Sequence, residues 1–186
     1  MLSPSGHPIL PLRRAGEITW YGRYLAQVAR RSSWVSSDVH GVQEGNWAWR
    51  CDVLRSIKFD PLFDRDDGLH YGLDLCLQAK QLGYRVIYEP RAETIHHAAP
   101  RPGGTPRSDK QQRALIHGRN MTWIGLKHYR GPRRILFLLW WSLIGERQSY
   151  GLLTGFYDLC LRGKQTGPLL KSSLLGRLNA VRAWRS

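Results

Sequence analysis

The sequence has few cysteines, few acidic residues and no long apolar run. Its three cysteines, Cys51, Cys76 and Cys160, are far apart and odd in number, which argues against a disulfide framework and a Cys-x-x-Cys zinc site. We therefore expect a reducing, cytoplasmic compartment. The most apolar run, 135–144, is ten residues long, whereas a membrane-spanning helix needs about 20. Prolines interrupt residues 1–12, so we expect no secretory signal there.

Acidic residues are scarce in one half of the chain only. The 186 residues include 28 Lys and Arg against 14 Asp and Glu, which gives a formal net charge of +14. Residues 95–186 contain 16 basic and three acidic residues, so nearly all of the excess lies there. Such a surface favours polyanions, namely nucleic acid, nucleotide phosphates or an anionic membrane leaflet. Composition alone does not choose among these three.

Leucines and aromatic residues accompany the charges in residues 135–164 and are flanked by Arg and Lys. This pattern is typical of a helix lying in a membrane interface. We therefore expect residues 108–186 to form a helical, basic region at the inner face of the membrane. An amphipathic helix packed against its own domain gives the same pattern, so both interpretations stay open. Nucleic-acid binding is disfavoured, because no zinc-finger, basic-zipper or RNP-type signature is present.

The local patterns predict an α/β fold. At 42% hydrophobic, the chain has enough apolar residues for one domain with a core. A helix at 73–82 is followed by Gly83 and a β-rich run at 84–88, and this step from helix to strand indicates an α/β layer. The other predicted elements are strands at 18–21 and 34–46, helices at 51–57 and 115–128, a break at Gly131-Pro132, and a mostly helical remainder.

Three places combine side chains that can carry chemistry. Gly45-Asn46 permits close backbone approach beside an amide, although a plain turn has the same composition. Asp74 lies in the first turn of a helix, where an acid commonly just complements the helix dipole. His96-His97 ends an extended stretch, and because neighbouring side chains on a strand point to opposite faces, at most one of them would serve a site.

In order, these pieces resemble the C-terminal half of a family 2 glycosyltransferase with the GT-A fold. His96 matches the strand-end histidine of that family. The other similar segments are GNWAWR (45–50), IKFD (57–60), DLCL (74–77), GYRV (83–86) and YEP (88–90). The resemblance covers about residues 16–130, and the ordered series is more specific than any one piece.

The resemblance implies transfer of a sugar from a nucleotide-diphosphate donor to a hydroxyl of a glycan or lipid-linked acceptor, as in the synthesis of cell-surface polysaccharide. It places Asp74 at or beside the catalytic base, which takes the acceptor proton. It places His96 at a divalent metal, Mn²⁺ or Mg²⁺, which offsets charge on the leaving diphosphate. The substrate-binding residues would be Gly45, Asn46, Arg50, His70 and Tyr71.

The resemblance also implies an architecture. Residues 18–107 would form a partial GT-A-like mixed sheet with flanking helices, after a lead-in segment at 1–17 and before the helical region at 108–186. The family's N-terminal half, with its nucleotide-binding strands and Asp-x-Asp metal motif, has no counterpart in these residues. Asp64-Arg65-Asp66 has that spacing, but its polar surroundings indicate a surface turn.

A second departure concerns the base. The family places acidic residues just before its match to Asp74, and Tyr71 and Gly72 occupy those places here. We therefore expect a glycosyltransferase-like chain that is incomplete or inactive alone and that associates with a partner chain or with itself, since unpaired sheet edges invite association. The alternative is a non-catalytic membrane-surface or partner-binding protein built on the same scaffold.

Overall fold

Helices predominate in the computed structural model, which describes residues 14–25, 35–42, 45–64, 68–92, 94, 109–162 and 166–186. Within those ranges the strands form two small antiparallel pairs. At this coarse level the predicted α/β class is confirmed. The chain divides into two compact units. The first takes the described residues of Met1–Thr19, Tyr24–Lys58 and Gly72–His97, and the second those of Trp20–Arg23, Phe59–Tyr71 and Ala98–Ser186. The expected boundary at 107/108 lies outside the described residues.

The first unit contains the predicted step from helix to strand. Helix α1 (Cys51–Ser56) precedes helix α2 (Tyr71–Gln81), of which all but the first residue belongs to this unit. Gly83 follows α2 with a φ of +88°, the left-handed conformation that glycine adopts without steric cost. The chain then forms β2 (Ile87–Tyr88), which pairs antiparallel with β1 (Ser37–Asp38).

Trp49 joins two apolar clusters in the core of the first unit. One cluster consists of Val39, Cys76 and Val86, and the other of Val53, Ile57 and Ala79. Trp49 is partly buried and packs against both. Helix α2 contributes Cys76 to the first cluster and Ala79 to the second, and Trp49 packs beside it against both, which makes Trp49 part of the scaffold.

The second unit consists mainly of helices α3 (Lys110–His128), α4 (Gly131–Leu143), α5 (Leu152–Arg162) and α6 (Thr166–Arg185). Asp109 caps α3 by accepting hydrogen bonds from the backbone nitrogens of Gln111 and Gln112. A hairpin of β3 (Gly145–Glu146) and β4 (Ser149–Tyr150) connects α4 to α5. A short 3-10 helix (Pro61–Phe63) belongs to the same unit.

Glycines allow α3 and α6 to approach closely. A Cβ atom built on Gly118 of α3 would lie 2.6 Å from the carbonyl oxygen of Ser173 and 2.9 Å from Oγ of Ser149. A Cβ on Gly176 of α6 would overlap the carbonyl oxygen of Leu115. Both distances are shorter than van der Waals contact, so a larger side chain at either position would push the two helices apart.

The apolar run at 135–144 forms most of α4 and divides between interior and surface. Phe137 and Trp141 are each 1% exposed, and Nε1 of Trp141 donates to the carbonyl oxygen of Gly22 at 3.0 Å. Ile135 and Leu139 are 61% and 49% exposed. The run thus contributes both to the core and to an exposed apolar surface.

The predicted strands are longer than the observed ones. Residues 34–46 were predicted as one edge strand, yet among their described members only Ser37–Asp38 pairs, and Ile87–Tyr88 is all that pairs of 84–88. Residues 18–21 contribute one bridge, from Ile18 to Tyr24. The hairpin at Gly145–Tyr150 interrupts the remainder that was predicted to be helical. The ends of a strand are determined by the partner strand with which it pairs, and that partner can be distant in sequence. The local alternation of apolar and polar residues therefore does not predict where a strand ends.

Candidate functional site

Residues 45–50 form an exposed polar edge of the first unit. Gly45 has a φ of +104° and is exposed, so the chain turns there in a conformation that favours glycine. Nδ2 of Asn46 donates to the carbonyl oxygen of Ala92 at 2.7 Å. This bond fixes the Asn46 amide and leaves its carbonyl oxygen as an acceptor at the surface. The structure therefore brings segment 45–50 to the turn that follows β2.

Arg50 lies on the same edge. Its guanidinium forms a bidentate ion pair with Asp52, at 3.0 Å from Nε and 2.7 Å from Nη2, and lies 5.8 Å from the ring centroid of Tyr84. Hydrogen bonding from Arg50 lowers the pKa of the Asp52 carboxyl to about 2. Arg50 is 73% exposed, so water screens this pair and the guanidinium stays accessible to a ligand.

Trp47 extends this edge with an aromatic surface, which the sequence reasoning did not single out. Its ring meets that of Trp49 edge to face, with centroids 5.4 Å apart. Trp49 packs against the two core clusters, so its position is fixed and it supports the ring of Trp47. Trp47 itself is partly exposed. We call Asn46, Trp47 and Arg50 the polar-aromatic edge.

Asp74 lies inside the first unit. It is 1% exposed, and its Oδ2 accepts a hydrogen bond from Nε2 of Gln78, one helical turn later, at 2.7 Å. Gln78 in turn accepts from the backbone nitrogen of Lys58 at 3.0 Å and donates to the carbonyl oxygen of Lys58 at 2.8 Å. The Asp74 carboxylate therefore orients the side chain that holds the segment after α1.

The structure assigns the remaining predicted residues to other places. His70 and Tyr71 belong to the second unit, whereas Asp74, Gly45, Asn46 and Arg50 belong to the first. The ring of Tyr71 lies against Phe59, with centroids 5.5 Å apart. His96 lies outside the described residues, as do Arg65 and Asp66 of the candidate Asp-x-Asp segment.

The described residues contain no group of three or more His, Cys, Asp or Glu side chains placed to hold a metal ion. The Mn²⁺ or Mg²⁺ site that the resemblance implies was tied to His96, which lies outside the described residues, so it stays a prediction.

A polar cluster in the second unit joins His70 to His117 of α3. The two rings meet edge to face, with centroids 4.6 Å apart and planes at 85°. His117 is 5% exposed, and Nδ1 of both rings is buried without a hydrogen-bond partner. Burial, and then the positive charge of Arg113, lowers the pKa of His70 to about 3. Burial, with His70, Arg177 and Arg113, lowers the pKa of His117 well below its ordinary value, so both rings are neutral near neutral pH.

Two arginines complete this cluster. Arg113 lies one turn before His117 on α3, and its Nε is buried without a partner. Arg177 of α6 is 6% exposed, and its Nη1 and Nη2 donate to the carbonyl oxygens of Tyr150 and Ser149 at 2.7 and 3.1 Å. Nε of Arg177 is also buried and unpartnered. Burial lowers the pKa of Arg177 to about 10. We call His70, Arg113, His117 and Arg177 the histidine–arginine cluster.

A third polar group of side chains is satisfied internally. Oδ2 of Asp60 accepts from Nε1 of Trp123 at 2.8 Å and from Nζ of Lys127 at 2.9 Å, and Oδ1 accepts from the backbone nitrogen of Leu62 at 3.0 Å. Burial alone would raise the pKa of Asp60, but the bonds from Lys127 and Trp123 outweigh it and lower that pKa. This group ties the 3-10 helix to α3 and is structural.

Helix α5 exposes one entire side. Leu152, Leu153, Phe156, Tyr157 and Leu161 are between 47% and 66% exposed. At 100° per residue they fall, with exposed Cys160, on one half of the helix. We call this surface the α5 apolar face. No helix within the described parts of the chain is both long and apolar enough to cross a membrane.

Comparison with known proteins gives no assignment: no protein-family model, curated protein or solved structure matches this chain.

Proposed function

We propose that this chain is a family 2 glycosyltransferase-like protein that supplies the acceptor-binding side of a GT-A-like arrangement. The observation that carries the proposal is the local structure of residues 45–64 and 68–90, whose elements follow the order that the resemblance implies. The exposed Gly45-Asn46 turn is followed by α1, the Asp60 cap, α2, left-handed Gly83 and β2. Each of these features has a local cause in the sequence, so the whole series supports the resemblance more than one motif does.

The polar-aromatic edge gives this proposal its chemistry. A sugar presents hydroxyl groups around its rim and C–H groups on its faces. The carbonyl oxygen of Asn46 and the guanidinium of Arg50 provide an acceptor and several donors for the hydroxyls. The partly exposed indole of Trp47 provides an apolar surface for the C–H face. The edge therefore suits a glycan acceptor better than a purely apolar ligand.

The same geometry supports low activity for the chain alone. A general base must come within hydrogen-bonding distance of the proton that it removes. Asp74 is 1% exposed and already accepts from Gln78, and the family's acidic positions hold Tyr71 and Gly72. We therefore expect glycan binding without sugar transfer until a partner chain or a second copy supplies a base and the donor site.

Glycan binding tests this proposal most directly. The purified chain is titrated with a panel of oligosaccharides, and binding is followed by saturation-transfer NMR. Trp47→Ala should abolish binding, whereas Trp20→Ala, which removes an indole that is 71% exposed in the other unit, should leave it unchanged. A folded chain that binds no glycan, or that binds equally well in both variants, would contradict the proposal.

A second titration addresses the donor. Uridine- and guanosine-diphosphate sugars are added with and without Mn²⁺, and we expect no metal-dependent binding to the chain alone. Metal-dependent binding that disappears in His96→Ala would instead show a working donor site and would refute the expectation of an incomplete enzyme.

A second candidate function, attachment to an anionic membrane surface, rests on the α5 apolar face. The unit that carries this face also carries most of the +14 net charge, since residues 95–186 hold 16 basic and three acidic residues. Apolar insertion and attraction to anionic lipid reinforce one another at such a surface. The charge therefore favours lipid as the occupant over an apolar protein partner.

Vesicle sedimentation tests this second candidate. Phosphatidylcholine vesicles containing phosphatidylserine should pellet the chain, and pure phosphatidylcholine vesicles should not. Burying one Phe side chain contributes about 1.5–3 kcal/mol, so Phe156→Ala should weaken vesicle binding about tenfold or more. Leu54→Ala, at a 49% exposed position of α1, should have no effect. Equal sedimentation of the two variants would exclude the α5 apolar face as the attachment surface.

A further inference from the structure

The histidine–arginine cluster contains four buried nitrogen atoms without partners in a single compact unit. They are Nδ1 of His70, Nδ1 of His117, Nε of Arg113 and Nε of Arg177. The rings of His70 and His117 lie 4.6 Å apart, and the positive charge of Arg113 acts on both rings and that of Arg177 on His117. Most buried polar atoms in folded proteins have a partner, so four unpaired ones among neighbouring side chains require an explanation. A bound group that accepts hydrogen bonds would satisfy them.

The charge of the cluster determines which kind of group fits. Arg113 and Arg177 each carry a permanent positive charge, and no carboxylate within the described residues forms an ion pair with either. The lowered pKa values of His70 and His117 are due in part to that positive field. A metal cation would be repelled here, although two histidines would otherwise suit one. An anion would be attracted.

The backbone conformation of His70 determines where its ring lies. Its φ of +70° places it in the left-handed region, and it is the one residue other than glycine to do so in the described part of the chain. Such a conformation is uncommon and costs energy for a side chain with a Cβ. Here it brings the His70 ring against His117 at 4.6 Å between centroids. Arg177 is equally fixed, because both of its Nη atoms are bonded to β4 carbonyls.

We propose that the histidine–arginine cluster binds a phosphate group, held by Arg113 and Arg177 and by N–H donors of His70 and His117. Two guanidinium charges match a phosphate dianion better than a carboxylate with its single charge. A neutral imidazole has one N–H, and its tautomer adjusts to donate from Nδ1 when an anion lies there. The phosphate belongs either to a soluble phosphate ester or to a lipid headgroup.

This site does not depend on glycosyl transfer. His70 is also one of the substrate-binding residues that the resemblance implies, but Arg113, His117 and Arg177 are outside the segments quoted for it. The whole cluster belongs to the second unit, whereas the Asn46, Trp47 and Arg50 side chains of the glycan proposal belong to the first. A failure of the glycan titration would therefore leave the phosphate site standing, and the converse also holds.

The test is a calorimetric titration of the full chain with inorganic phosphate at constant ionic strength, with chloride as the comparison anion. Loss of one charge-assisted hydrogen-bonding group should weaken phosphate binding about tenfold or more in Arg113→Gln. The matched control is Arg182→Gln, which removes the same charge from an exposed position of α6. Circular dichroism checks that both variants are folded. If Arg113→Gln does not fold, Arg113→Lys keeps the charge but loses the planar fork, and weaker phosphate binding is again expected.

Imidazole nitrogen NMR supplies a second measurement. Saturating phosphate should shift the Nδ1 resonances of His70 and His117, and chloride should not. Phosphate binding that is equal in Arg113→Gln and Arg182→Gln would overturn the proposal, and so would unchanged imidazole resonances at saturation.

A vesicle arm separates the two sources of phosphate. Phosphatidylcholine vesicles with and without phosphatidic acid are compared with inorganic phosphate in solution. Binding of inorganic phosphate assigns the site to a soluble phosphate ester. Binding only to phosphatidic acid, lost in Arg113→Gln but retained in Phe156→Ala, assigns it to a headgroup. Binding to neither refutes the phosphate site.

Discussion

Replacing Gly118 by alanine should destabilise the second unit, although alanine is the better helix former. The new Cβ would lie 2.6 Å from the carbonyl oxygen of Ser173, about 0.8 Å short of the 3.4 Å of ordinary contact. A backbone carbonyl cannot rotate away, so α3 and α6 must separate. Overpacking of this kind costs about 3 kcal/mol at the upper end of its usual range, and helix propensity returns about 1 kcal/mol. The net loss should therefore be about 2 kcal/mol.

Thermal unfolding followed by far-UV circular dichroism measures this loss, because α3, α4, α5 and α6 dominate the helical signal. For a chain of this size, 2 kcal/mol corresponds to a decrease in Tm of about 4–8 °C. The matched control is Gly167→Ala on α6, where the new Cβ would meet Leu159 Cδ1 at 3.8 Å. We expect the control to melt as the wild type does or slightly higher. An unchanged or raised Tm in Gly118→Ala would refute the packing inferred for α3 and α6.

Two further predictions concern partly buried polar side chains. Asp60→Asn should destabilise the chain by about 2 kcal/mol in urea unfolding, because Lys127 loses a carboxylate partner. Since the folded pKa of Asp60 is lowered, its contribution should be complete above the ordinary carboxyl pKa of 3.8 and disappear as the pH falls through the lowered value. The free energy of unfolding of the wild type should therefore fall more steeply with decreasing pH than that of Asp60→Asn. Equal slopes would contradict the ion pair between Asp60 and Lys127. Gln78→Ala should cost about 1–3 kcal/mol, because it leaves Asp74 and the backbone of Lys58 short of partners, and faster amide exchange at Lys58 should accompany the loss.

The sequence predicts elements whose determinants are local. The helix at 73–82 and its glycine terminator are confirmed as α2 and Gly83, because hydrophobic spacing and a left-handed glycine are encoded within one segment. The strands are shorter than predicted because their ends depend on β1 meeting β2 across about fifty residues of chain. Local alternation in residues 34–46 carries no information on that distant partner.

The histidine–arginine cluster was missed for a related reason. The predicted helix at 115–128 began too late, because the cap at Asp109 was not used as a start signal, so Arg113 fell outside it. With α3 beginning at Lys110, Arg113 and His117 are one turn apart on the same face. Even then, the proximity of His70 and Arg177 depends on tertiary packing, and nothing in their neighbouring residues indicates it.

Asp74 shows how one residue can match a catalytic position and still have a structural role. Its place in the first turn of a helix was compatible with a base, but the i, i+4 spacing to Gln78 also allowed a side-chain bond within the helix. In the structure that bond is made, and Gln78 uses its remaining amide groups to hold Lys58. The Asp74 carboxylate thus orients the Gln78 side chain, which connects α2 to the segment after α1. In the described residues, the groups still available to ligands are the polar-aromatic edge, the histidine–arginine cluster and the α5 apolar face. All three suit binding. The carboxylate beside the polar-aromatic edge, that of Asp52, is paired with Arg50, which lowers its pKa to about 2 and makes it a weak base. We therefore expect binding of glycan and phosphate from this chain before any transfer of sugar.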